Sequence, residues 1–148
     1  MTRRKLFLTA FALFALAPGP AFAAPPEHVE DTAAADDDRE IAMSVELAGL
    51  VFPMFDETGE LKNYIFVSAR MVVAHGKDPW KYREQAHFIR DAVVRAAHRV
   101  SFNARGDYNK LDEKLAATES LKAANEILGE KNALVSMTFK SIASQGGH

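Results

Sequence analysis

Five histidines, twenty carboxylates and no cysteine are what this chain offers for chemistry. His87 and His98 stand eleven residues apart, which on a helix puts them on nearly one face. The helical rise separates them by about 16 Å, and ligand bonds of about 2 Å do not let them share an ion. Glu84, His87 and Asp91 follow one another at three- and four-residue steps and could face a single ion together. No HExxH or related spacing supports such a site, and a charged helix presents triples of this kind as solvated surface. Among the serines, Ser120, Ser136 and Ser141 lie inside periodic segments, with no GxSxG or SxxK stretch around them. There is no glycine-rich phosphate loop, and without cysteine there is no thiol nucleophile, disulfide or Cys-bound zinc. The residues read as those of a protein that is not an enzyme, with no catalytic set, no bound metal and no cofactor.

A second kind of chemistry is charge recognition. "IRDAVVRAAHRVSFNAR" carries Arg90, Arg95, His98, Arg99 and Arg105 against the single acid Asp91. A basic patch of this sort suits an acidic protein partner or an anionic head group. Asp91 and Arg95 also make an ordinary i,i+4 pair, as any exposed helix face does. The aromatic residues Tyr64, Phe66, Trp80, Phe88 and Phe102 are read as core rather than as a ligand platform.

These residues need elements to hold them. "SVELAGLVFPMF" (Ser44 to Phe55) reads as a strand, with Pro53 marking an edge or an irregularity. "DETGE" (Asp56 to Glu60) has turn chemistry. "NYIFVSARMVVA" alternates, with Ile65, Val67, Ala69, Met71 and Val73 on one face and Tyr64, Phe66, Ser68 and Arg70 on the other. Together they predict a hairpin. Asp78-Pro79 opens a helix that the apolar steps Ala86, Ile89, Val93, Ala96 and Val100 carry from Pro79 to about Val100. Asn103 to Asp107 is expected to be a loop. A second helical region runs from about Asn109 to Leu128, with a slip near Thr118 and Gly129 as its stop. "ALVSMTFKSIAS" (Ala133 to Ser144) is a third strand. The order β-β-α-α-β predicts an α+β domain, an antiparallel sheet with helices on one face, over residues 44–145.

Upstream, Arg3, Arg4 and Lys5 precede an apolar run from Leu6 to Leu16. The eleven residues of that run fall well short of the roughly 20 that span a bilayer. Pro18 and Pro20 break any helix, and Ala21-Phe22-Ala23 has the A-x-A form that predicts cleavage before Ala24. Residues 1–23 therefore read as a signal peptide, by the general secretory route or by the twin-arginine route that "TRRKLFL" resembles. Residues 24–43, acidic and rich in alanine, read as a flexible linker. The mature chain would lie in the periplasm with no transmembrane segment. Without the leader's three basic residues, the 18 become 15 against the same 20 acids, a net charge of −5. That balance disfavours nucleic acid as a partner.

The stretches "LAGLVFPMFDETGELKNYIFVSARMVV", "IRDAVVRAAHRVSF" and "LKAANEILGEKNALVSMTFKSIASQ", taken in this order, resemble the periplasmic domain of the flagellar basal-body FliL family. Ile89-Arg90-Asp91-Ala92 is similar to that family's first-helix motif. Asn125-Glu126-Ile127-Leu128 is similar to its second, and Met137-Thr138 with Gln145 to its last strand. The resemblance covers Leu47 to Gln145. It implies a stomatin-like fold, side-by-side assembly of copies, a supporting role at the ion-driven stator of the flagellar motor, and no catalytic residues. Family members carry a membrane helix ahead of the domain where this chain has a cleavable leader. The expected function is protein–protein contact in the cell envelope, through the arginine-rich face, the edge strands, or assembly of identical copies. The alternative is a soluble envelope protein that binds a small ligand or a metal ion.

Overall fold

The computed structural model describes residues 38–145. The signal-peptide reading, with Ala21, Ala23 and Ala24, lies outside the described residues, as does most of the expected linker. The linker's residues 38–42 are helical. They lead into β1 (Ser44–Phe55), which pairs antiparallel with β2 (Leu61–Val73). β5 (Leu134–Ser144) pairs antiparallel with the other side of β2, so the sheet order is β1-β2-β5.

The hairpin turn is fixed by its first acid. One Asp56 carboxylate oxygen accepts from the Thr58 hydroxyl and from the amides of Thr58 and Glu60. Lys62 approaches the other oxygen at 3.2 Å. The Thr58 hydroxyl first, then the Glu60 amide and Lys62, hold this carboxyl well below the usual range.

Two helices were expected and three follow the hairpin. The first expected helix is divided into α1 (Pro79–Glu84) and α2 (Ala86–Arg99). Asp78 caps α1 by accepting from the Trp80 amide, with Pro79 in the first turn. Gln85, at φ −93° and ψ 7°, interrupts the ladder. The reason is divided attachment. Tyr82 is buried with its hydroxyl on Glu130, while Arg83 donates to the carbonyls of Ile41, Ala42 and Ser44. α1 is thus held by the domain's two connections, whereas α2 packs on the sheet through Ile89 and Val93.

The expected loop at Asn103–Asp107 is a small hairpin, β3 (Asn103–Ala104) and β4 (Asp107–Leu111). Its second strand occupies Asn109 to Leu111, so α3 (Glu113–Leu128) begins later than the periodicity suggested. Asp112 caps α3 on the Leu115 amide, and Gly129, at φ 66°, ends it. The helix runs unbroken through Thr118.

The result is α+β: one antiparallel sheet with the helices against one face. Ile65, Val67, Ala69, Met71 and Val73 face the core, joined by Leu50, Phe52 and Met54 from β1. Phe52 meets Phe102 edge-on, with ring centroids 5.2 Å apart. Both helices bury alanines, Ala92, Ala96 and Ala97 on α2 and Ala116, Ala123 and Ala124 on α3, and Ala92 and Ala123 line the groove between them.

Candidate interaction surfaces

The structure distributes the five residues of the expected basic patch over four places. Arg90 donates to the Gly49 carbonyl at 2.8 Å, which ties α2 to the irregularity in β1. Gly49 has φ +63°, and a Cβ there would stand 3.5 Å from the guanidinium, so its backbone turn and the arginine fit together. His98 bonds through Nδ1 to the Val94 carbonyl, with its ring 6.4 Å from Phe55. Arg95 pairs with Asp91 at 2.5 Å, the expected i,i+4 contact. Only Arg95 and Arg99 share a feature, the groove between α2 and α3. Its floor is Ala92, Ala123 and Ile127, and Glu126 faces the arginines. Glu119 and Lys122 line its continuation. Arg105 sits apart, in the β3–β4 turn.

Glu84, His87 and Asp91 are likewise separated by function. The break at Gln85 puts Glu84 on α1 and the other two on α2. His87 lies against the Phe88 ring, and Asp91 is occupied by Arg95. Among the described residues no group of three or more His, Asp or Glu is placed to hold an ion.

The aromatic residues correct the reading of them as core. Phe102 is buried, but Trp80 is 67% exposed, Phe88 54%, Phe66 43% and Tyr64 37%. The exposed four lie on two sides of the sheet. On the helical side Trp80 carries the Arg83 guanidinium over its ring at 4.9 Å, and Phe88 stands at the start of α2. On the opposite side Tyr64 and Phe66 point away from the helices, because Ile65 and Val67 fill the core. Phe66 lies opposite Val51 on β1 and Ala143 on β5, so an apolar row crosses all three strands.

The free edges of the sheet are less open than an edge-strand contact requires. The β1–β2 register shifts between Leu47 and Leu50, and Pro53 removes a donor from the same strand. The β2–β5 register shifts twice, skipping Val135 and Lys140. Bulges, proline and lysine are the devices that blunt an edge against strand addition. This moves the weight of any contact from the edges to the faces.

One polar cluster escaped the sequence reading. Glu130 accepts from Lys77 at 2.6 Å, Lys81 at 2.5 Å and the Tyr82 hydroxyl at 2.9 Å. Those three donors, Lys77 foremost, bring its pKa from 4.5 down to about 2. The same contact raises both lysines and, after burial, the Tyr82 phenol. The lysines and tyrosine lie about fifty residues from Glu130 in sequence, far outside any local helical spacing, and nothing in the sequence signals the cluster.

Among the described residues no helix is long and apolar enough to cross a membrane. In comparisons with known proteins, no protein-family model and no curated protein matches the chain.

Proposed function

We propose that this chain is a non-enzymatic, exported protein that acts by protein–protein contact in the cell envelope. The observation that carries the reading is the exposure of four large aromatic side chains, Trp80 and Phe88 on the helices and Tyr64 with Phe66 on the sheet face. Clustered exposed aromatic side chains on a well-packed scaffold are what contact surfaces present. The FliL-like stretches make the flagellar motor the first partner to examine, in a domain of FliL-like form. In that reading Arg90 and Asn125 belong to the motifs because they hold the fold, not because they touch a partner. Arg90 fastens α2 to β1, and the Asn125 side chain both donates to and accepts from the Leu134 backbone.

The test is photo-crosslinking in the native host, with a photoreactive residue at position 88 and, separately, at 66. A discrete envelope protein captured from either position, and lost when Trp80 or Tyr64 is changed to serine, is the expected result. Swimming speed of the deletion strain decides the narrower part. Unchanged motility alongside intact cross-links would remove the motor and keep the contact.

A further inference from the structure

We propose that the sheet face left uncovered by helices among the described residues is the contact surface for a second copy of this chain, the two sheets packed face to face about a two-fold axis near Phe66. The inference rests on the protein-contact reading above and names its partner.

The first ground is the row itself. Val51, Phe66 and Ala143 are register neighbours across three strands, and Tyr64 continues the same face one pleat along β2. Ser68 and Ser141, also paired, extend it in the other direction. Small, apolar and aromatic side chains on a sheet face are the material of sheet-on-sheet packing at about 10 Å.

Charge supplies the second ground. A two-fold contact brings residues near its axis against their own copies, so an unpaired charge there repels itself. The row carries none. Of the charges that border it, Lys62 is paired with Glu60 and Asp56 and Arg70 with Glu46, while Lys140 is exposed beside Ser141 at the β5 edge. The arrangement is an apolar centre with a polar rim, the usual anatomy of an interface.

Area is the third ground. Three strands about 4.8 Å apart and a rise of about 3.3 Å per residue give a face roughly 15 Å by 36 Å over eleven residues. Full stacking of such faces covers about 540 Å² in projection, about two-thirds of the roughly 800 Å² per partner of a standard interface, and overlap of the apolar row alone falls well below that. The pair is therefore expected to form and dissociate with concentration. Blunted edges leave this face as the self-complementary surface of the sheet.

The chain's lack of cysteine makes the test clean. Sedimentation velocity of the full chain is expected to show a monomer–dimer equilibrium. Phe66→Glu and, independently, Tyr64→Lys are expected to raise the dissociation constant at least tenfold, with circular dichroism showing both folded, while Phe66→Tyr keeps the dimer. Ser68→Cys is expected to give a covalent dimer with a short bis-maleimide, and Lys114→Cys, on the exposed start of α3, is not. A monomer at every concentration would overturn the proposal. So would a dimer untouched by both face variants, or cross-linking from Lys114→Cys instead of Ser68→Cys. If the chain is monomeric while a photoreactive residue at position 66 captures a different protein in the cell, the second copy is wrong and the contact reading stands. No capture from position 66 or 88 removes both.

Discussion

A carboxylate that accepts from two ammonium groups and a phenol is held ionised by them, and holding it so is a contribution to stability. Glu130 is in that position. Its folded-state pKa is depressed to about 2, so the contribution is whole above its ordinary 4.5 and is lost as pH falls towards 2. Melting temperature measured from pH 6 to pH 2 should fall steeply below pH 5 in the parent chain. Glu130→Gln should begin lower and show a shallower fall, and equal slopes would refute the assignment. Ser120 argues in the opposite direction. Its hydroxyl is fully buried on α3 with no hydrogen-bond partner, beside the alanines that face α2. Removing a buried, unpaired hydroxyl relieves a desolvation cost, so Ser120→Ala should be neutral or raise stability by about 1 kcal/mol in urea unfolding. A loss of more than that would mean that the hydroxyl is satisfied in solution. At this scale the sequence was legible wherever alternation was followed. The period of two placed Tyr64 and Phe66 opposite the core, and the structure agrees. Reading the same two residues as core from their aromatic character was the error, because the character of a side chain does not override the side of the sheet it is on.

Elements were legible in proportion to how local their causes are. β1 has the expected bounds because its apolar run and following turn are contiguous. Two of the three helix starts, those of α1 and α3, rest on an aspartate cap, yet only Asp78 was recognised. Asp112 was hidden inside a longer apolar period that begins in β4. The break at Gln85 has causes far along the chain, in Glu130 and in the carbonyls near Ile41, so spacing within α1 and α2 could not show it. The small hairpin was missed for the same reason. It is held by the Asn63 side chain, which donates to the Tyr108 carbonyl, the Asn109 side chain and Ser144. β5 has its own distant anchor. Asn125 on α3 makes a two-way amide contact with Leu134, at 2.9 Å and 3.0 Å, and so fixes where the last strand enters the sheet. Asn125→Ala leaves two backbone groups of a buried residue unpaired and should cost about 2–3 kcal/mol. Hydrogen exchange should show the loss first at Leu134. Uniform loss of protection across the domain would show that the contact is not specific to that strand's entry.

For the whole molecule, the described residues form two layers that leave one face of the sheet uncovered by helices, and what the molecule does depends on where it is placed. The opening segment carries that decision. Its three basic residues, eleven-residue apolar run and A-x-A end predict removal before Ala24. Removal changes the balance of the chain as well as its length, since it takes three positive charges from a protein with 18 basic and 20 acidic residues. A more acidic mature chain is repelled by anionic membrane surfaces. It would reach a membrane assembly by protein contact. Intact mass of the protein from separated periplasmic and membrane fractions checks the whole of this chain of reasoning. The expected species begins at Ala24 and is found in the periplasmic fraction. A species that keeps Met1 to Ala23 and stays with the membrane would make the opening segment an anchor. The domain would then be held at the bilayer. Recruitment through Trp80, Phe88 or the sheet face would no longer be needed to bring it there.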